Sequence, residues 1–167
     1  MPDITFTYGL LAALAITLVV AAYTDLTSRR IANWLNALIA LGAPIYWWAS
    51  GLAFYPDILV QLGLAVATFA LCAVLFALRQ MGGGDLKLLT ALALWLAPMT
   101  FIKLIVLMAL IGGILTIVFG GWHIMRRRKD RIAIPYGLAI ASSGLWVLLT
   151  GPLAPAFGMA PAATLFG

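Results

Sequence analysis

The stretch LKLLTALALWLAPMTFIKLIVLMALIGGILTIVFGGW, Leu86 to Trp122, decides the fold class. It runs for 37 residues, and after Lys87 at its start its one further charge is Lys103. About 20 predominantly apolar residues are what a helix needs to cross a bilayer, so this run is long enough for nearly two crossings. Pro98 divides it, because proline removes a backbone donor and clashes with the preceding turn of a helix. Working outward, further apolar runs extend over Tyr8 to Thr24, Ile31 to Ala49, Ile58 to Leu78 and Ile134 to Leu149. The pattern predicts an all-α membrane protein of six transmembrane helices, forming one polytopic domain over residues 1–167.

Composition agrees. Of the 167 residues, 65% are hydrophobic and 9% are charged, against about half and about a quarter in soluble domains. A water-soluble enzyme is excluded, and the lipid bilayer is the expected surrounding. The net charge of +5 would raise the question of nucleic acid in a soluble protein, but here the basic residues belong to loops. Arg29 and Arg30 follow the first helix, Arg79 and Lys87 the third, and Arg126, Arg127, Arg128, Lys129 and Arg131 the fifth. If the helices alternate, these nine share one side and Lys103 is alone on the other. Cytoplasmic loops carry the Lys/Arg excess, so both termini are expected outside, in a multi-pass protein of the inner (cytoplasmic) membrane. Residues before Thr7 hold Asp3 and no basic residue, so a secretory n-region is lacking and the first run is expected to stay as a helix. Cys72 and His123 are the only residues of their kinds. No disulfide, Cys/His metal site or cofactor is expected from them.

The fourth helix is short. Leu86 to Ala97 gives roughly 18 Å of helix against a hydrocarbon core of roughly 30 Å. Its glycine-rich start, with Asp85, is therefore expected below the cytoplasmic surface, where irregular backbone is tolerated only when shielded from lipid.

The chain has no Glu, and its five acids are Asp3, Asp25, Asp57, Asp85 and Asp130. Asp3 and Asp57 lie near helix starts on the outer side, where a carboxylate suits the helix dipole, and Asp130 sits in a basic run. Asp25 and Asp85 stand apart, because each falls at a membrane boundary on the same face, one ending the first helix and the other beginning the fourth. Asp25 as a simple interfacial helix end, paired with Arg29, and Asp85 as an N-cap with Lys87 snorkelling, are the plain structural explanations. The run Met81-Gly82-Gly83-Gly84-Asp85-Leu86-Lys87 argues for more, since three glycines permit close backbone approach and turn freedom that capping alone does not need.

Two carboxylates in a partly dry site share a proton. The ionised member takes a proton from water while the other donates to the carbonyl under attack, which is peptide hydrolysis by an aspartic dyad. Intramembrane carboxylates also serve proton-coupled transporters and channels, the alternative on physics alone. A carrier favours internal repeats and midplane charges; this sequence shows no repeat, and its acids lie towards one face.

The segments around these acids resemble the type IV prepilin peptidases. Asp25-Leu26-Thr27-Ser28-Arg29-Arg30-Ile31-Ala32-Asn33 is similar to the family's first motif, an Asp followed six residues later by Ile-Pro-Asn. Gly82-Gly83-Gly84-Asp85-Leu86-Lys87 resembles the second, Gly-x-Gly-Asp-x-Lys, and Ile134-Pro135-Tyr136-Gly137 a third segment at the start of the last helix. The resemblance implies a Gly-x-Gly-Asp intramembrane aspartic endopeptidase, with Asp25 and Asp85 catalytic. Gly82, Gly84, Lys87, Asn33 and Pro135 would bind substrate or shape the site. The implied partner is a prepilin or pseudopilin, cut on the cytoplasmic side after a Gly that precedes its hydrophobic helix, with loss of a short basic leader. Where the family has the Pro of Ile-Pro-Asn this chain has Ala32, which removes a rigid turn. Bifunctional members that also N-methylate pilin carry a Cys-x-x-Cys insert, and with Cys72 alone no methylation is expected. The short form resembles the branch serving tight-adherence Flp pili, with archaeal preflagellin peptidases as relatives.

The remaining features have structural explanations. Arg126 to Arg131 reads as a topology anchor at anionic headgroups, Trp47-Trp48 as an outer aromatic belt, His123 as interfacial and Cys72 as packing.

Overall fold

The computed structural model describes residues 4–125 and 136–158. Among them the chain is helical throughout, with no strand: α1 (Ile4–Ser28), α2 (Asn33–Ala49), α3 (Leu59–Ala77), α4 (Gly83–Ala93), α5 (Pro98–Met125) and α6 (Tyr136–Thr150). A π-helical turn, Phe54–Ile58, leads into α3, and a short 3-10 turn, Ala154–Phe157, follows α6. Asp3, Asp130, Pro135, the basic run Arg126 to Arg131 and the side chain of His123 lie outside the described residues.

Three helical stretches are long and apolar enough to cross a membrane: Ile4–Ser28, Phe54–Ala77 and Pro98–Val118. Tyr136–Thr150 is a shorter apolar helix. Their outward faces carry large hydrophobic side chains such as Ile16, Val66, Leu71 and Ile117, each more than 60% exposed. A contiguous surface of that kind is an aggregation liability in water and the ordinary outer surface of a protein solvated by lipid.

The interior is built on α4 and α6. Leu88, Leu92 and Ala93 of α4 are fully buried, and so are Ala139, Ala141, Ser143 and Leu148 of α6. α4 packs on α2, α3, α5 and α6, while α6 also packs on α1 and α5. Small residues let these helices approach: a Cβ on Gly144 would meet Leu18 Cδ1 of α1 at 2.9 Å.

α4 departs from the sequence expectation at both ends. It starts at Gly83 rather than Leu86, because extended Gly82 (φ −72°, ψ 144°) acts as N-cap and the two following glycines enter the first turn. It stops at Ala93 rather than Ala97, because the next residues turn and anchor to α2. Trp47 Nε1 donates to Leu94 O at 2.8 Å, and Trp95 Nε1 donates to Ile39 O at 2.8 Å. The Trp95 ring stacks on Tyr46, centroids 5.0 Å apart, and fits over Gly42, where a Cβ would approach Cζ2 to 2.8 Å. Trp47 is therefore a half-buried donor to the backbone rather than part of a belt, while Trp48, 80% exposed, faces outward. The 11 residues of α4 span roughly 16 Å, and α2, α3, α5 and α6 all pack against this short helix.

Candidate active site

Asp25 lies in the last turns of α1, and its side chain is only 6% exposed. It faces α6, whose first-turn N–H groups have no partner within their own helix. The Leu138 N–H donates to Asp25 Oδ2 at 2.9 Å, and the Gly137 N–H is also directed at the carboxyl. A carboxylate from one helix thus closes the N-terminus of another, where the dipole favours negative charge. The fit leaves no room at Gly137: a Cβ there would lie 2.7 Å from Asp25 Cγ and 2.8 Å from Ile31 Cδ1.

Asp85 is half-buried in the first turn of α4, and its carboxyl reaches back to the N–H of Gly82. Gly82, not Asp85, is the N-cap; Asp85 holds the third helical position, from which an acid returns to the cap's donor. Asp25 is near enough for its charge to act on Asp85. Ile31, between α1 and α2, packs against both sides of this site. A Cβ on Gly84 would approach Ile31 Cβ to 3.2 Å, and one on Gly137 would strike the same side chain.

The glycines serve contact, not unusual backbone angles. None of Gly82, Gly83 and Gly84 has a positive φ, contrary to the expectation of a glycine-built turn. Among the described residues the left-handed positions are Gly51, Gly158 and, at residues other than glycine, Arg29 (φ 51°) and Arg79 (φ 58°), which follow α1 and α3. Gly82 admits the Asp85 carboxyl, Gly83 the ring of Phe76, and Gly84 the Ile31 backbone and side chain.

Lys87 and Asn33 meet each other: Lys87 Nζ donates to Asn33 Oδ1 at 2.8 Å, tying the start of α4 to the start of α2. Ala32 caps α2 with φ −64° and ψ 136°, close to the φ a proline ring fixes, so the backbone shape survives without the ring. Deeper in α2, Asn36 is 4% exposed and donates from Nδ2 to Gly84 O at 3.3 Å.

The family model described as the type IV leader peptidase family matches residues 12–117, a span that includes Asp25 and Asp85. The chain belongs to that family. The prepilin leader peptidase/N-methyltransferase of Aeromonas hydrophila is 28% identical over 152 residues, 86% of this chain and 51% of that protein. The protein of the same name from Aeromonas salmonicida is 29% identical over 152 residues, 86% of this chain and 50% of its own length. The chain therefore spans about half the length of these curated relatives. No solved structure matches it.

For a type IV leader peptidase family member, reading the sequence for acids and glycines gave no role to four contributors to this site, Gly137, Leu138, Ile31 and Asn36. Gly137, quoted in the third segment but given no role, and Leu138 contribute only backbone space and an N–H, which residue type does not reveal. Ile31 and Asn36 are an ordinary apolar residue and a lone amide in an apolar helix, and only the second stands out by type.

Proposed function

We propose that this protein is a membrane-embedded aspartic endopeptidase that removes the short basic leader of prepilins or pseudopilins. Six transmembrane helices make up its single domain, residues 1–167, with both termini outside the inner membrane and the acids at the cytoplasmic face. Asp25 and Asp85 form the Gly-x-Gly-Asp type of catalytic pair, and Lys87, Asn33, Gly82, Gly84 and Pro135 shape its surroundings.

The observation that carries the reading is the pairing of Asp25, held by the N-terminus of α6, with Asp85 on the first turn of α4. Hydrogen bonds from N–H groups favour an ionised carboxylate, so Asp25 suits the member that bears the charge. Asp85, beside that charge, then bears the shared proton. Asp25 removes a proton from water, the water oxygen bonds to the scissile carbonyl carbon, and Asp85 protonates the carbonyl oxygen. Collapse of the tetrahedral intermediate breaks the C–N bond. The amine leaves with the proton Asp25 acquired, and Asp85 recovers its own from the hydroxyl. No metal or cofactor enters this scheme. Family membership supports a peptidase and gives no support to a proton-coupled carrier.

Co-expression with candidate prepilins from the same source, scored by gel shift for loss of the leader, tests the assignment. A shift that needs both Asp25 and Asp85 is expected. Unprocessed prepilin across the whole candidate set, with the protein inserted in the membrane, would overturn it.

A further inference from the structure

Asn36 breaks the pattern of its helix. It is 4% exposed in the apolar α2, and among the described residues only half of its amide is used: Nδ2 donates to Gly84 O at 3.3 Å, while the buried Oδ1 has no hydrogen-bond partner. An unmet buried acceptor destabilises, and asparagine is a poor residue for a helix interior, so a leucine of similar shape would suit the fold better. Three residues earlier, on the same face of α2, Asn33 Oδ1 accepts from Lys87 Nζ at 2.8 Å. The start of α2 therefore takes hold of the start of α4 at two points, one just before Asp85 and one just after it.

We infer that Asn36, together with the Asn33–Lys87 pair, is a positioning residue that holds Asp85 opposite Asp25 without touching the substrate. The inference rests on the peptidase reading and adds to it residues that act through Asp85. Lys87 follows Asp85 by two positions, about 200° around the helix, so its ammonium is turned away from the acids. It lines instead a groove of about 370 Å³ between α2 and α3 that neither acid lines. Asp25 is fixed by the N-terminus of α6, but Asp85 stands in the first turn of a helix of 11 residues, and helix ends fray. The two holds on α2 steady that turn. They also set it against Asp25, because only four residues, 29–32, join α1 to α2, so the part of α2 that grips α4 is tied at short range to the end of α1 that carries Asp25. Ile31 in that link packs at Gly84 and Gly137, which completes the frame.

The test is Asn36→Leu, read by prepilin cleavage kinetics and by thermal unfolding. A misplacement of about 1 Å lowers turnover roughly a hundredfold, so the smaller shift expected of Asp85 should lower kcat about tenfold, with KM unchanged. The thermal midpoint should stay level or rise, because the orphan acceptor is gone. A raised KM at unchanged kcat would make Asn36 a substrate contact, a midpoint that falls along with kcat would make it ordinary packing, and an unchanged kcat would leave it no role; each overturns the inference. A second readout does not depend on activity. In Cys72→Ala with Asp25→Cys and Asp85→Cys, adding Asn36→Leu should slow crosslinking by a short bis-thiol reagent severalfold, and an unchanged rate would overturn the inference. If Asn36→Leu fails to accumulate, the other hold carries the test: Asn33→Ala/Lys87→Met should lower kcat no further than either single change, as for one shared contact, and additive losses would overturn the pair. Failure of the parent cysteine pair to crosslink, or of the unmodified protein to cleave any prepilin, would instead count against the peptidase reading.

Discussion

Gly137→Ala is the sharpest small perturbation of the site. The new methyl carbon would lie 2.7 Å from Asp25 Cγ and 2.8 Å from both Asp25 Oδ2 and Ile31 Cδ1. Against ordinary contact, that is short by about 0.6 to 0.7 Å. The end of Ile31 can give way, but Asp25 is held by the Leu138 N–H at 2.9 Å. Either the carboxyl swings off the helix terminus or α6 withdraws, and both forfeit a charge-assisted bond worth about 1.5 to 3 kcal/mol. The better helix propensity of alanine returns only about 1 kcal/mol, so the loss wins. Displacing a reacting group by up to about 1 Å lowers turnover by roughly a hundredfold, and that is the fall expected in leader cleavage by membranes of this variant. Gly113→Ala is the control, because its Cβ would meet nothing within 4 Å and only the propensity gain remains. Wild-type turnover by Gly137→Ala would refute the packing of Asp25 against α6 as the support of the site.

Asp25→Asn and Asp85→Asn should each abolish cleavage in gel-shift assays while the protein inserts and accumulates, and Asp57→Asn should cleave normally; processed pilin from either of the first two would refute the dyad. Ala32→Pro should raise the thermal midpoint by the equivalent of about 0.4 to 1 kcal/mol with cleavage retained, because Ala32 already has φ −64°. A lowered midpoint would show that the ring does not fit there. Trp95→Phe removes the bond to Ile39 O at the end of α4 away from the acids, and should cost about 1 kcal/mol in detergent unfolding without moving KM. For topology, in the Cys72→Ala background, cysteines near Gly51 should react with an impermeant reagent from outside and those near Lys129 only after the cytoplasmic side is opened; the reverse pattern would place the acids on the wrong side.

The helical class was legible because a bilayer imposes one simple rule on apolar runs, and the break near Pro98 was visible for the same reason. The limits of α4 were not. They depend on Gly82 adopting an extended cap and on two tryptophan N–H groups capturing carbonyls, which are long-range contacts with no local periodic trace. The acids stood out by scarcity, since a carboxylate is conspicuous in so apolar a chain. What holds them did not. The partner of Asp25 is a backbone N–H 113 residues away, and the glycines that looked like a turn are spaces for a carboxyl, a phenyl ring and Ile31. Ala32 was legible as a change of residue but not as a position with a proline-like φ, because that φ accompanies the cap of α2 and leaves no mark in the side chain.

The central claim is that Asp25 and Asp85 share one water, and their separation is the quantity to measure. Catalysis requires both carboxyls near hydrogen-bond reach of that water, about 2.6 to 3.2 Å for each contact. Cys72 is the only thiol, so Cys72→Ala gives a clean background for Asp25→Cys/Asp85→Cys. In native membranes this double variant should crosslink within one chain through a short bis-thiol reagent, and Asp57→Cys/Asp85→Cys should not. Failure of the first pair with reagents spanning up to roughly twice the 7 Å limit of a disulfide, where each single cysteine is shown to react, would contradict the shared site.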